Sequence, residues 1–239
     1  MEDAMSSKSP PMIPAHITRG AEGLCDGEPI AQYEIGEGKN FVYLIVDWKA
    51  KQAAIVDPQQ DLREPLQGLR AHGLSLERVL LTHTHSDHTA GLRELLAIHP
   101  GLAVHCHPAD AFRLERSLDP GSLSFVNDGQ LLPVGSSTVK VLHTPGHSAG
   151  ACCFLLESEP PYLLSGDTLF IRDCGRCDLA TGSVREMFAS LARLKVLPPE
   201  TVVLPGHHYA AERVSTIGRE LRESPPLQCR TIEELERLP

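Results

Sequence analysis

The apolar positions fall into short continuous runs, each closed by a turn, and the runs alternate with stretches of helical spacing. Residues 41–47 and 53–57 are two such runs joined by the polar turn 48–52, which predicts a pair of strands. Pro58 closes the second run, and Leu62, Leu66 and Leu69 then repeat at helical spacing up to Gly73. Residues 79–82 predict a third strand, 91–98 a helix that stops before Pro100, 103–106 a short strand and 109–117 a further helix. Turn signals dominate the middle of the chain, at Asp119-Pro120-Gly121 and Asn127-Asp128-Gly129. Strands resume at 138–142, 151–156 and 162–164. Val184–Leu194 is amphipathic, with Met187, Phe188, Leu191 and Leu194 on one face. Residues 201–204 predict a last strand and 210–221 a last helix. The alternation predicts an α/β fold in layers, with sheets packed on each other and helices outside.

Composition narrows the class. The chain has 239 residues, enough for a substantial core in one large domain or two small ones, and 41% are hydrophobic. No stretch approaches the ~18 apolar residues of a membrane span, so no membrane partner is expected. Residues 1–22 are rich in Pro and Ser, lack the apolar segment of a secretory signal and read as a flexible arm. Residues 23–239 are then expected to form a single catalytic domain. A formal net charge of −9 with no basic run argues against a nucleic-acid partner. Seven cysteines form an odd set without export signals, so reduced thiols and a cytoplasmic location are expected. Cys152 and Cys153 read as core filler. Cys174 and Cys177 have C-x-x-C spacing, but no second pair completes a thiolate metal site.

The chemistry concentrates in the stretch Thr82-His83-Thr84-His85-Ser86-Asp87-His88, directly behind the apolar run Val79-Leu80-Leu81. Three histidines and one aspartate on a strand-to-helix loop can converge on one point, and imidazole and carboxylate suit zinc and iron. A histidine-rich surface turn is the bland alternative. Three further apolar runs end in small turns that carry His or Asp: Thr144-Pro145-Gly146-His147, Ser165-Gly166-Asp167 and Pro205-Gly206-His207. Each alone reads equally well as a turn or cap residue; together they describe a metal cleft at one edge of stacked sheets.

In this order, the four segments resemble the metallo-β-lactamase-fold superfamily over about residues 30 to 225. The resemblance implies a four-layer αββα sandwich, two mixed β-sheets with helices on the outer faces. It implies that His83, His85 and His147 hold one metal, that Asp87, His88 and His207 hold a second, and that Asp167 bridges them. Asp57 matches the aspartate carried after the second strand, whereas His143 and His208 fit no ligand position. The implied cofactors are two divalent cations, zinc or iron or manganese. A metal-bound hydroxide would be the nucleophile and Asp87 a ligand, a proton acceptor, or both.

Substrate is addressed by Gly166-Asp167-Thr168-Leu169-Phe170 and Cys174-Gly175-Arg176, which resemble the loop of glyoxalase II-type thioesterases. The resemblance implies a small thiol-derived substrate, a glutathione thioester. Arg172 and Arg176, fixed charges on this loop, and Tyr209 are candidate substrate-binding residues, although the arginines read equally well as solvated loop charges or as partners of Asp173 or Asp178. The C-terminal helical domain of larger glyoxalase II enzymes is not expected in the short stretch after His208. Arg176 and Asp178 also match persulfide dioxygenases, which would use one Fe(II) on His83, His147 and Asp167 and produce sulfite. A lactonase or phosphodiesterase would share the site without loop support, and an interaction module without turnover would need the cleft covered. A homodimer is left open.

Overall fold

The computed structural model describes residues 24–115 and 118–238, so the arm expected at 1–22 and the end of the helix expected at 109–117 lie outside the described residues. The first sheet is built from β1 (Ile30–Ile35), β2 (Asn40–Asp47), β3 (Gln52–Val56), β4 (Ser75–Leu80), β5 (Ala103–Cys106) and β6 (Leu123–Phe125) in that spatial order. Its first three strands are antiparallel and the rest run parallel from β3 onward. The connections of the parallel part carry α1 (Arg63–Ala71), α2 (Ser86–Thr89) and α3 (Leu92–Ile98).

The second sheet takes β7 (Leu131–Val134), β8 (Ser137–His143), β9 (Cys152–Leu156) and β10 (Tyr162–Gly166). The hairpin β11 (Leu169–Phe170) and β12 (Asp173–Cys174) follows, then helix α4 (Val184–Leu194). β13 (Val202–Pro205) and β14 (Ser215–Thr216) complete the sheet in the order β14-β13-β10-β9-β8-β7, with only β10 and β13 parallel. The chain closes with α5 (Ile217–Glu223), α6 (Pro225–Gln228) and α7 (Ile232–Glu236).

Why the strand runs are continuously apolar is visible in their packing. In β2, Phe41, Tyr43 and Ile45 point into the cluster between the sheets, while Val42, Leu44 and Val46 pack on the other side with Leu66 and Leu69 of α1. In β9, Cys152, Phe154 and Leu156 face the first sheet, and Cys153 and Leu155 face Met187 and Leu191 of α4. Three apolar clusters stacked in this way make four layers, helix–sheet–sheet–helix, the mixed-sheet sandwich expected. Among the described residues no helix is long and apolar enough to cross a membrane.

Departures from the expected elements have local causes. The helix expected from Ala109 is a 3-10 turn, Pro108–Arg113, because its Asp110 carboxylate is drawn into the interior by Ser148 and Gly150. The helix expected from Ala210 starts at Ile217, since Ser215 pairs with Val203 and Thr216 caps Arg219 N, and it is followed by α6 and α7 rather than being the last. β1 hides behind Gln32, whose amide is buried by bonds to Tyr43 Oη and the Arg213 carbonyl. β7 hides behind Pro133, tolerated because β7 is an edge strand.

Phe154 is 0% exposed at the centre of the inter-sheet cluster. Phe154→Ala should therefore cost about 3–5 kcal/mol of stability, read by urea unfolding. A loss below about 1 kcal/mol would mean that the sheets do not depend on this contact.

Candidate metal centre

The first ligand loop leaves β4 and is fixed by one buried carboxylate. Asp57 follows β3 in the left-handed region (φ 50°) and accepts Thr82 N–H at 2.7 Å on one oxygen. Its other oxygen takes the Thr82 hydroxyl and His88 Nδ1, the latter at 3.0 Å. Because Thr82 Oγ1 donates to Asp57, it is left to accept from His83 Nδ1, 3.1 Å away. His83 Nε2 then carries a lone pair, and it is buried with no hydrogen-bond partner among the described residues.

The same logic fixes the other rings. His147 Nδ1 donates to the Arg176 carbonyl at 2.8 Å, and His207 Nδ1 donates to the Gly38 carbonyl at 2.9 Å. A carbonyl only accepts, so in the neutral rings both Nε2 atoms present lone pairs. His147 Nε2 lies 2.9 Å from His85 Nδ1, and His207 Nε2 lies 3.2 Å from His88 Nε2. With its Nδ1 on Asp57, a neutral His88 also presents an Nε2 lone pair, so its contact with His207 is repulsive unless positive charge lies between them, and the His85–His147 contact is closed by a proton or a cation. His83, His85 and His147 offer one converging set of donor atoms, and Asp87, His88 and His207 a second. Asp167 stands between the two: Oδ2 is 3.5 Å from His147 Nε2 and 3.4 Å from His207 Nε2, and Oδ1 is 3.5 Å from His88 Nε2. All seven residues singled out in the sequence are thus brought together. Asp57, His83 and His88 form a third convergent group, but Asp57 already spends both oxygens on Thr82 and His88.

Electrostatics agree with the geometry. Burial disfavours a charged His88, yet Asp167 and Asp57 outweigh it and hold its pKa well above the usual value. His207 rises to about 9 against its own burial, through Asp167 and Asp87. His83 is pushed well below the usual value by burial and by His88. Burial opposes ionisation of Asp167, but His88 and His207 keep its carboxyl well below the carboxylate range. Asp87 is likewise held low against burial, by His207, His88 and Asn40. Carboxylates and lone pairs together draw positive charge into the cleft, and the donor set fits two divalent cations.

Several residues that shape the cleft carry no sequence signal of their own. Asn40 Nδ2 donates to Asp87 Oδ2 at 3.1 Å, and Gln59 holds Asn40. Gly175 is required sterically: a Cβ there would lie 1.9 Å from the Asp167 carbonyl oxygen and 3.0 Å from His147 Nδ1. Its smallness lets the Arg176 carbonyl reach His147. A Cβ on Gly206 would lie 2.2 Å from Asp167 Oδ1. Asp110 is 0% exposed and ties two ligand loops together. It accepts Ser148 Oγ at 2.6 Å and Gly150 N at 3.0 Å, beside His147, while its own carbonyl takes the Thr84 hydroxyl between His83 and His85.

The candidate substrate residues lie at the rim. Tyr209 is 63% exposed and stacks on His207, with ring centroids 4.6 Å apart, and it meets the edge of Phe170. Arg176 sends its carbonyl inward, and its guanidinium is bidentate on Asp178 at 2.6 Å. Arg172 is turned towards α5. Its N–H meets buried Glu220 at 2.7 Å and its guanidinium pairs with Glu212 at 2.6 Å. His143 stacks on His107, and His208 bonds Glu34, both outside the two donor sets. Burial pushes the Cys174 and Cys177 thiols up to about 12 and about 11, so neither is a thiolate at neutral pH.

Two converging donor sets at the edge of a four-layer sandwich define a candidate metal centre. The sequence profile of the Metallo-beta-lactamase superfamily matches residues 35–207, and the chain belongs to that superfamily. It is 38% identical over 199 residues to a hydroxyacylglutathione hydrolase of Gloeobacter violaceus, covering 83% of this chain and 73% of that protein. The crystal structure of ETHE1 from Myxococcus xanthus superposes with a TM-score of 0.76 at 29% identity, covering 88% of this chain and 92% of that one. TTHA1623, solved in a di-iron-bound form, gives a TM-score of 0.66 at 30% identity, covering 81% and 98%.

Removing the Asp110 carboxylate leaves Ser148 and Gly150 N–H unpaired and unties the two loops. Asp110→Ala should lower stability by about 3 kcal/mol in urea unfolding, and Ser148→Ala by about 1 kcal/mol. Equal, negligible effects of both would show that the loops are held elsewhere.

Proposed function

We propose that this chain hydrolyses an acyl thioester of glutathione at a two-metal centre. The observation that carries the reading is the completeness of the second donor set. Asp87 is held by Asn40, His88 by Asp57 and His207 by the Gly38 carbonyl, so each donor is oriented before any cation arrives. The similarity to a hydroxyacylglutathione hydrolase supports the choice of thioester. When bound, two divalent cations lower the pKa of water towards neutrality and polarise a carbonyl.

The chain's own groups do the rest. Asp167, buried between the sets, fixes their spacing; Asp87, half-exposed and ionised, is placed to accept a proton from the attacking water. Water oxygen adds to the thioester carbon, the C–S bond breaks, and the departing thiolate takes up a proton. Tyr209 stacks on His207 at the second donor set, where the peptide part of the thiol would rest, and the Arg176 carbonyl holds His147 of the first.

Likeness to ETHE1 favours a second reading, oxidation of a glutathione persulfide by O₂ at one iron on His83, His147 and Asp167. Zinc-loaded and iron-loaded protein, each given S-lactoylglutathione and glutathione persulfide, separates the two. The expected result is release of thiol from the thioester with no oxygen uptake, abolished by Asp167→Asn. Oxygen consumption with the persulfide that survives His88→Ala would overturn the thioesterase reading.

A further inference from the structure

Beside the first donor set lies a second, cationic space. A cavity of about 570 Å³ opens against His85 and is lined by Ser86, Thr89, Arg93 and Arg113, with no carboxylate among its lining residues. That volume suits a small ligand. Its charge contrasts with that of a cavity beside Gln59, about 790 Å³, which is lined by Glu34, Glu37, Asp61 and Glu64 with Arg63.

Arg113 is held ready rather than free. Its Nη1 meets Asp110 at 3.3 Å and its Nη2 meets Thr181 Oγ1 at 3.3 Å, while the guanidinium lies 4.6 Å from the Phe112 ring centroid. Its charge reaches the metal edge, lowering His85 behind the larger effects of burial and His147. Arg93 is exposed and makes no ion pair or hydrogen bond within the described residues. Two guanidinium groups, one fixed and one unspent, make an anion site whose nearest boundary is a metal-facing imidazole.

Resting on the thioesterase reading, we infer that this cavity receives the acyl half of the substrate and that the acyl chain ends in a carboxylate. The thiol half is assigned to Tyr209, which stacks on His207 of the second donor set, so a carbonyl placed between the donor sets directs its acyl tail past His85 of the first. Half-thioesters of short dicarboxylic acids are therefore the preferred class, and hydrolysis releases the diacid and the free thiol.

The test uses the S-lactoyl and S-succinyl thioesters of glutathione and of N-acetylcysteamine. On both thiols the wild-type chain should prefer succinyl over lactoyl by about tenfold in kcat/KM. The preference should fall towards unity in Arg93→Gln/Arg113→Gln, through KM, and persist in Arg113→Lys, which keeps the charge. A wild type without succinyl preference, whose discrimination for glutathione over cysteamine falls in the double variant, would assign the arginines to glutathione's own carboxylates and overturn the inference. No turnover of any thioester would remove the hydrolase reading alone. Calorimetric titration with succinate then judges the cavity: binding about tenfold weaker in the double variant supports it, and equal binding overturns it.

Discussion

Imidazole nitrogens that face each other at 2.9 and 3.2 Å need positive charge between them, proton or cation, and the surrounding structure holds them there. His88, His147 and His207 are each prevented from turning away by a bond to the outer nitrogen. Asp57 holds His88 directly and His83 through the Thr82 hydroxyl; the Arg176 and Gly38 carbonyls hold His147 and His207. Such an arrangement is unfavourable by itself, and its natural relief is a cation shared by the facing nitrogens.

The fold supplies the rigidity this needs. The donor segments leave the ends of β4, β8, β10 and β13, strands drawn from both sheets, of which β10 and β13 are buried along their whole length. Phe41 and Phe154 knit the sheets beneath the cleft. Above them, Asp110 and Asn40 tie loops across large sequence separations. Gly175 and Gly206 let the backbone close on Asp167. Tyr209 and Arg93 stand exposed at the rim, so changes there carry little cost to the core.

The convergence of the seven donor residues was legible in the sequence because their segments each follow an apolar run, in small turns or, for Asp87 and His88, in the short helix α2. Strands such as β2 and β9 were legible for a related reason: burial on both faces leaves no polar position to break the run. What escaped was long-range or main-chain. Gln32 and Pro133 break the patterns of β1 and β7, and only the tertiary partners of the first and the edge position of the second explain them. The carbonyls of Gly38 and Arg176 have no residue signature, since every residue has a carbonyl. Arg172 and Arg176 looked alike on the loop, but the fold commits the Arg172 guanidinium to Glu212 and gives Arg176 a structural carbonyl as well as a charge. Asp110 resembled an ordinary helix-start residue; its reach to Ser148 turned a helix into a 3-10 turn.

The central claim is that both donor sets take a cation. Elemental analysis of chelator-stripped protein reloaded with zinc tests it most directly, because it reads occupancy without reference to any substrate. Saturation at about two equivalents per chain is the predicted result. Saturation at about one would contradict it, and would mean that Asp87, His88 and His207 relieve their repulsion by protonation alone.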